Sequence, residues 1–243
     1  MVLICDLSAT ADLEMVTMKL RFLICGLASI WLLSGCGWFG PQVNERPAHE
    51  LIQEGVEAYD RGNYSEAIKD FEQLKDWYPF SKYAILAELK IADSHYYLGQ
   101  YAEAIMAYEE FEQLHPRNEA IPYIIYQIGR CYYDQIDTID RDQTPAQKAL
   151  ETFRRLARQF PEDPYTDQSR THIIKCLQNL AGHEFYVGQF YYRNRYYRAA
   201  LKRFLAVISD YPDVGMHYQA LRYIAQCEAL VAMKSEAQNQ PTK

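Results

Sequence analysis

Positive charge is in deficit in this chain of 243 residues, which carries 25 Lys and Arg against 32 Asp and Glu. The resulting net charge is −7. A protein that binds nucleic acid in bulk needs an excess of basic residues to displace the counterions of the phosphates. The acidic balance therefore argues against nucleic acid as a partner.

The sequence also lacks an apolar run long enough to cross a bilayer, which takes about 20 residues. The main apolar segment covers only residues 22–35, follows Lys19 and Arg21, and ends in small residues. A basic start, a short apolar centre and a small-residue end are typical of a secretory signal peptide rather than of a membrane span. We therefore predict that residues 1–35 are a signal peptide.

The stretch Leu33-Ser34-Gly35-Cys36 closes this segment and resembles the lipobox of bacterial lipoproteins. Proteins with a lipobox are cleaved before the cysteine, which carries a diacylglycerol on its sulfur and usually an acyl chain on its new amino group. Two or three such chains give stable anchoring. The resemblance predicts that Cys36 is lipidated and opens a linker over residues 36–47. Acidic residues precede Met18 and suit a signal peptide poorly, so translation is expected to start at Met18.

Complete catalytic and metal-binding motifs are missing. HEFYV (183–187) begins like a zinc-protease helix but has Val187 where the second histidine is required. His172 and Cys176 form one ligand pair without a third partner nearby. The loop over residues 137–142 lacks the glycine and the final glutamate of a calcium-binding loop. We expect no enzyme, no metal and no cofactor other than the covalent lipid.

Cysteine offers no disulfide framework either. Beyond Cys36, the exported part contains Cys131, Cys176 and Cys227, an odd and widely spaced set. Their neighbours favour helix formation, so we predict that these three are buried free thiols.

What the sequence does contain is an internal repeat. RGNYSEAIKDFEQLKDWYP (61–79) and LGQYAEAIMAYEEFEQLHP (98–116) share Gly-x-Tyr-x-x-Ala-Ile, followed by an aromatic residue and a proline. This pattern looks like the tetratricopeptide repeat, a helix–turn–helix unit of about 34 residues. Two further stretches, 149–161 and 200–212, keep the same offsets of alanine, phenylalanine and proline.

The repeat also predicts how the helices pack. A small residue recurs in the first helix of each unit, where the paired helix can approach closely, at Gly55, Ala92, Gly129 and Gly188. No unit can bury its apolar side alone, so the units stack. A fifth, less regular unit starts near His217. The predicted fold is an all-α, right-handed superhelical solenoid of about five tetratricopeptide repeats over residues 48–240.

A row of tyrosines follows one face of the first helices. Four residues after each small residue stand Tyr59, Tyr96, Tyr133 and Tyr192. Tyrosine is frequent at this offset in the repeat, so packing alone could account for the row. However, Asp93, Arg130 and Gln189 are interleaved with it, which is typical of a surface that takes up peptide segments. We predict that part of the row contacts a ligand, with packing as the alternative.

Several longer stretches resemble one family, BamD, the tetratricopeptide lipoproteins of the outer-membrane β-barrel assembly machine. YPFSKYA (78–84) matches the family's motif at the first repeat junction, although Ser81 replaces a glycine common in relatives. DRD (140–142) matches the insertion in the third repeat. HEFYVGQFYYRNRYYRAALKRF (183–204) matches the long fourth-repeat helix and the turn after it.

The resemblance implies a function that composition and spacing could not specify. BamD-like proteins sit on the periplasmic face of the outer membrane, held by their lipid anchor. They bind the periplasmic POTRA region of BamA, the barrel insertase, and work with other lipoproteins of the complex. They also hold unfolded β-barrel precursors and promote their folding and insertion.

We assign candidate residues by position along the solenoid. The N-terminal units are expected to contact substrate through Tyr59, Tyr78, Phe80, Tyr96 and Tyr133. Tyr78 and Phe80 could equally form a hydrophobic junction between repeats. Arg203 aligns with a family position that pairs with an acidic POTRA residue, and its alternative is an ordinary solvated charge.

Two other functions are open at this point. A pilotin-like lipoprotein that escorts a secretin would share the anchor and the repeats, but has no reason to carry the YPFSKYA and DRD features. An envelope enzyme, such as one directed at peptidoglycan, would use His183 and Glu184.

Overall fold

The computed structural model describes residues 46–239, a range that contains nine helices and no strand. The helices are α1 (Ala48–Asp60), α2 (Tyr64–Trp77), α3 (Ala84–Tyr97), α4 (Tyr101–Leu114), α5 (Ile121–Tyr133), α6 (Thr144–Gln159), α7 (Pro164–Arg193), α8 (Tyr197–Ser209) and α9 (His217–Asn239). The predicted signal peptide and Cys36 lie outside the described residues. Across residues 46–239, no helix is both long and apolar enough to cross a membrane.

Each helix packs against the next one along the chain, and α5 also packs against α7. Helices that contact mainly their sequence neighbours are the defining feature of a repeat solenoid. The odd-numbered helices α1, α3, α5 and α7 are the first helices of four units, and α9 opens the fifth at His217. The prediction of an all-helical, tetratricopeptide-like solenoid is confirmed.

Within a unit, the two helices interlock through a glycine and a phenylalanine. A Cβ atom built on Gly55 would lie 2.5 Å from the ring of Phe71, and one on Gly129 would lie 2.5 Å from the ring of Phe153. Gly188 meets Phe204 in the same way at 2.7 Å. These distances are too short for any side chain, so glycine is what allows the second helix to approach. The second unit instead combines Ala92 with Tyr108, both fully buried.

The buried apolar residues form three clusters along the chain. The first joins α1, α2 and α3 around Leu51 and Phe71. The second extends from Ala92 to Leu180. The third joins the second half of α7 to α8 and α9 around Phe204. The long helix α7 therefore contributes to two clusters, with its first half in the second and its last turns in the third.

Cys131, Cys176 and Cys227 are buried and free, which confirms the prediction for these thiols. Burial raises the pKa of the Cys131 and Cys176 thiols to about 12. A thiol protonated this firmly at neutral pH is a poor nucleophile and a poor metal ligand. These cysteines serve as small apolar side chains in the core.

Candidate functional site

All four tyrosines of the row are half-buried and lie in the last turn of the first helix of their unit. A tyrosine in this setting presents an apolar ring and a polar hydroxyl together. The four tyrosines therefore differ only in the residues that their rings and hydroxyls contact.

Tyr96 is held in an ionic network. Its hydroxyl donates to Asp134 Oδ2 at 2.6 Å and accepts from Arg130 Nη2 at 2.9 Å. Arg130 Nη2 also lies 3.3 Å from Asp134 Oδ2, which closes the triangle. Burial and the hydrogen bond to Asp134 raise the pKa of Tyr96, so the hydroxyl stays protonated and continues to donate. The network fixes the orientation of the Tyr96 ring.

Asp93 is the centre of a second network, and its side chain is almost completely buried at 3% exposure. The hydroxyls of Tyr108 and Tyr123 both donate to Asp93 Oδ1, each at 2.7 Å. Lys90 Nζ lies 3.5 Å from Asp93 Oδ2. A buried carboxylate is tolerated only when it is hydrogen-bonded and paired in this manner. The network joins α3, α4 and α5.

Lys90 connects this buried centre to the surface. Its ammonium lies 3.9 Å from the centroid of the Tyr59 ring, a cation–π distance, while its side chain stays partly exposed. Tyr59 packs edge-on against Tyr64 at 5.4 Å and against Tyr97 at 5.9 Å, and Tyr64 stacks on Tyr97 at 5.0 Å. We call Tyr59, Tyr64, Lys90, Tyr96 and Tyr97 the front cluster. It combines aromatic rings, of which Tyr97 is 53% exposed, with a partly exposed lysine.

Tyr133 takes a different role, because its ring packs 4.5 Å from that of His172. His172 stacks on Phe153, and its Nε2 lies 3.3 Å from the Tyr126 hydroxyl. Its Nδ1 is buried without a hydrogen-bond partner. Burial and the nearby Arg130 lower the pKa of His172, so the imidazole is kept neutral. Tyr133 therefore packs at the edge of this aromatic group.

At the C-terminal end, the tyrosine at the same repeat offset, Tyr192, is part of an aromatic stack. Tyr192 lies 5.1 Å from Tyr223, which stacks on Phe204 at 4.7 Å and meets Phe185 at 5.6 Å. We call Phe185, Tyr192, Phe204 and Tyr223 the rear cluster. The hydrogen bond that Gln189 Nε2 donates to the Tyr223 hydroxyl is long, at 3.4 Å. Here packing accounts for the tyrosine.

The two candidate residues at the first repeat junction, Tyr78 and Phe80, differ in their burial. Tyr78 is half-buried and packs against the first apolar cluster. Phe80, two residues later, is 100% exposed. The junction alternative thus suits Tyr78, whereas Phe80 is available to a partner.

Arg203 is paired within the chain. Its Nη1 donates to both carboxylate oxygens of Glu184, at 2.9 and 3.1 Å, and this hydrogen bonding raises the pKa of the guanidinium. The His183 Nδ1 lies 2.7 Å from the Ile139 carbonyl oxygen. His183 and Glu184, the residues of the enzyme alternative, thus both have structural partners. In the part of the chain that the structure describes, no group of His, Cys, Asp and Glu could hold a metal ion.

Several members of these networks were missed by the sequence reasoning, among them Lys90, Tyr97 and Asp134. A signal was present for two of them. Lys90 precedes Asp93 by three residues and Asp134 follows Arg130 by four, spacings at which helical side chains meet. No sequence signal indicated Tyr97, because its exposure depends on the neighbouring unit.

Comparison with known proteins gives a consistent result. Residues 44–243 match the family YfiO, outer membrane lipoprotein. The outer membrane protein assembly factor BamD of Caulobacter vibrioides is 32% identical over 193 residues, which cover 79% of this chain and 63% of that protein. The BamD proteins of Vibrio cholerae and Rickettsia prowazekii are 27% and 29% identical, over 78% and 90% of this chain and 83% and 88% of theirs.

Among solved structures, a tetratricopeptide repeat protein from Parabacteroides merdae has a TM-score of 0.40 and 13% identity, and the match covers 79% of this chain and 76% of that one. The family match covers far more than half of the sequence and includes every helix described above. The chain therefore belongs to the YfiO (BamD) family of outer membrane lipoproteins.

Proposed function

We propose that this chain is an outer membrane protein assembly factor, a lipid-anchored periplasmic scaffold that binds a BamA-type insertase and unfolded β-barrel precursors. Its relatives carry the name of such a factor. The observation on which the precursor role rests is the front cluster, where the ammonium of the partly exposed Lys90 lies over the Tyr59 ring beside the exposed ring of Tyr97.

An unfolded barrel precursor presents unpaired strand edges and alternating aromatic side chains, which aggregate unless they are covered. Ring faces and edges like those of Tyr59 and Tyr97 suit aromatic side chains of an extended segment. Lys90 adds a positive charge that favours carboxylates at the same place. The buried Asp93 network holds Lys90 in position before a ligand arrives, which lowers the entropy cost of binding.

Phe80 extends this apolar contact surface toward the first repeat junction. A fully exposed phenylalanine gains nothing for the isolated chain, and its burial against a partner is worth roughly 1.5–3 kcal/mol. We assign Phe80 to the precursor contact, and Tyr78 to the packing that supports it.

Arg203 is the residue proposed to dock the insertase. A guanidinium has five N–H donors, and both bonds to Glu184 come from Nη1. Nη2 and Nε are left for a carboxylate of the partner, and the Glu184 pair orients them. The side chain is partly exposed, so a partner can reach it.

The anchor completes the proposal. Acyl chains on Cys36 would hold the scaffold at the periplasmic face of the outer membrane. Tethering raises the effective concentration of the scaffold near an insertase in the same membrane, without any new contact. The accessory lipoproteins of the complex would be further partners.

Affinity purification of the tagged full chain from detergent-solubilised envelopes tests the proposal. We expect a BamA-type barrel protein at near-equal abundance by mass spectrometry. A secretin in its place would support the pilotin alternative. Recovery of neither protein would contradict both functions. Arg203→Glu should release the insertase, whereas Glu184→Gln, which removes the internal pair but keeps the cation, should retain it. If Arg203→Glu still co-purifies the insertase, the docking assignment is wrong.

A further inference from the structure

Three of the turns that join the two helices of a unit share one backbone design. In the first, the N–H groups of Gly62 and Asn63 donate to the carbonyls of Tyr59 and Ala58. The same two hydrogen bonds recur after α3 and after α7, donated by Gly99 and Gln100 and by Arg195 and Tyr196. The residue at the first of these donor positions always has positive φ, at 80°, 71° and 63° for Gly62, Gly99 and Arg195.

Arg195 is the exception in this comparison. Among residues 46–239 it is the only residue other than glycine with positive φ. The left-handed conformation brings a Cβ atom close to a carbonyl oxygen and favours glycine. A residue kept in a strained conformation points to a function for its side chain. The question is what the guanidinium of Arg195 does.

Arg195 lines an open cleft of about 380 Å³ between the α7–α8 turn and the last part of α9. Arg198 and Lys234 line the same cleft, together with Tyr196, Tyr197 and Val231. The three cations come from the turn, from the first turn of α8 and from α9. No carboxylate within residues 46–239 forms an ion pair with any of them. Three cations around one cleft, without a carboxylate partner in the described part of the chain, form a site for an anion.

The local charge runs against that of the whole chain, whose net charge is −7. Residues 185–209 contain no Asp or Glu, and their charged residues are all basic: Arg193, Arg195, Arg198, Lys202 and Arg203. Of these, Arg203 is paired with Glu184 from outside the stretch. The first turn of α8 adds backbone N–H groups that favour an anion, phosphate above all. The side-chain charges and the backbone N–H groups at this cleft thus both favour an anion.

Exposed aromatic residues, one lining the cleft and one in the helix that leads into its turn, indicate where the phosphate comes from. Tyr196 is 64% exposed, and Phe190, in the last turn of α7, is about half exposed. Exposed aromatic rings next to arginines are typical of protein surfaces at the headgroup level of a membrane. We propose that this cleft binds a phosphate group, supplied by the headgroup of an anionic phospholipid. The inference rests on the proposed function only through the location at the outer membrane.

The test measures co-sedimentation with vesicles of the full chain carrying Cys36→Ser, which removes the proposed lipid attachment point. Vesicles of phosphatidylglycerol mixed with phosphatidylcholine should bind the chain, and vesicles of phosphatidylcholine alone should not. A cation near a membrane surface contributes about a fivefold change in binding. Arg195→Gly and Lys234→Ala should each weaken binding by about that factor. Arg195→Gly leaves the turn intact, because glycine is the residue that the other two turns use.

Arg154→Ala is the matched control, since it removes an exposed arginine of α6 outside the cleft. Equal losses for Arg154→Ala and Arg195→Gly would overturn the proposal, since binding would then follow total charge. Inorganic phosphate added at constant ionic strength separates the sources. Because free phosphate competes for the same cleft, release only at a large molar excess over the accessible headgroups supports the lipid as the source. Release by phosphate at concentrations below that of the headgroups would show that the cleft prefers the free ion and would overturn the lipid as the source. Arg195→Gly should still co-purify the insertase, so a failure here is distinct from a failure of the proposed function.

Discussion

The front and rear clusters occupy equivalent positions of the repeat but are built differently. At the front, Tyr59 and Tyr96 contact Lys90, Arg130 and Asp134, so their rings are fixed by charged groups. At the rear, Tyr192 and Tyr223 contact mainly other rings. One sequence signal, a tyrosine four residues after the small residue, therefore has two structural outcomes.

The difference between the second and fourth units teaches that the residue next to the small one can set the partners of the rings. In the second unit it is Asp93, which draws two tyrosine hydroxyls and Lys90 into a buried network. In the fourth unit it is Gln189, which makes one long hydrogen bond and leaves the rings to pack. In these two units, the carboxylate ties tyrosine hydroxyls to an ionic network, and the amide leaves the rings to pack on each other.

The largest expected effect comes from removing Asp93, the centre of the buried network that holds Lys90. Asp93→Leu leaves the hydroxyls of Tyr108 and Tyr123 without their acceptor, at a cost of about 3 kcal/mol in the free energy of unfolding. Gln189→Leu at the equivalent rear position should change it by less than about 0.5 kcal/mol. Urea unfolding followed by circular dichroism measures both. Similar losses in the two variants would remove the distinction between front and rear.

The hydroxyls of the tyrosine row should contribute differently to stability, by a smaller amount. Tyr96→Phe removes a donor to Asp134 and an acceptor from Arg130, and should lower the free energy of unfolding by about 1 kcal/mol. Tyr192→Phe keeps the ring contacts of the rear cluster and should be nearly neutral. The comparison uses the same urea unfolding. A larger loss at Tyr192 than at Tyr96 would contradict the assignment.

The turns offer a contrast of opposite sign. Arg195→Gly at the rear should raise the free energy of unfolding by about 0.5–1 kcal/mol, because glycine adopts positive φ without strain. Gly62→Arg at the front should lower it by about 1 kcal/mol for the same reason. Thermal unfolding of the two variants checks the pair. A loss of stability in Arg195→Gly would show that the arginine stabilises the turn itself.

The smallest effect is a pH dependence at the border of the two regions. The pKa of His172 is lowered in the folded chain by burial and by Arg130, while Asp134 opposes this and Lys175 adds to it. Below the ordinary pKa of about 6.5, the unfolded chain takes up the proton more readily. This contribution to stability is therefore present above about pH 6.5 and lost as the pH falls. His172→Gln should flatten the acid side of the stability profile, and an unchanged slope would rule the residue out.

The solenoid could be predicted because its signals are local and repeated. The glycines, the phenylalanines and the prolines stand at fixed offsets, so spacing alone pairs Gly55 and Gly129 with the second helix of their own unit. The site could be predicted only in part. Tyr59 and Tyr96 were found from the offset, but not the cation between the units, because the contact of Lys90 with Tyr59 joins two repeats.

Two other features depend on the three-dimensional arrangement of the chain. Phe80 is fully exposed and Tyr78 is partly buried, although they are only two positions apart. The geometry of the turn between the helices decides which of the two side chains packs against the core. Arg195 resembled any surface arginine in the sequence, and only its φ angle set it beside Gly62 and Gly99. Arg203 was assigned by alignment, and its pair with Glu184 comes from the packing of α8 on α7.

The central claim is that the front cluster, and not the rear, receives an extended precursor segment. The most direct measurement is fluorescence anisotropy of a labelled peptide that copies the last strand of an outer-membrane barrel, titrated with the full chain. Tyr97 and Tyr218 are matched exposed tyrosines, at 53% and 74%, one in each region. We predict that Tyr97→Ala weakens binding at least about fivefold, the loss of roughly 1 kcal/mol of aromatic contact, while Tyr218→Ala leaves it unchanged. Equal affinities for wild type and Tyr97→Ala, or a loss confined to Tyr218→Ala, would contradict the account.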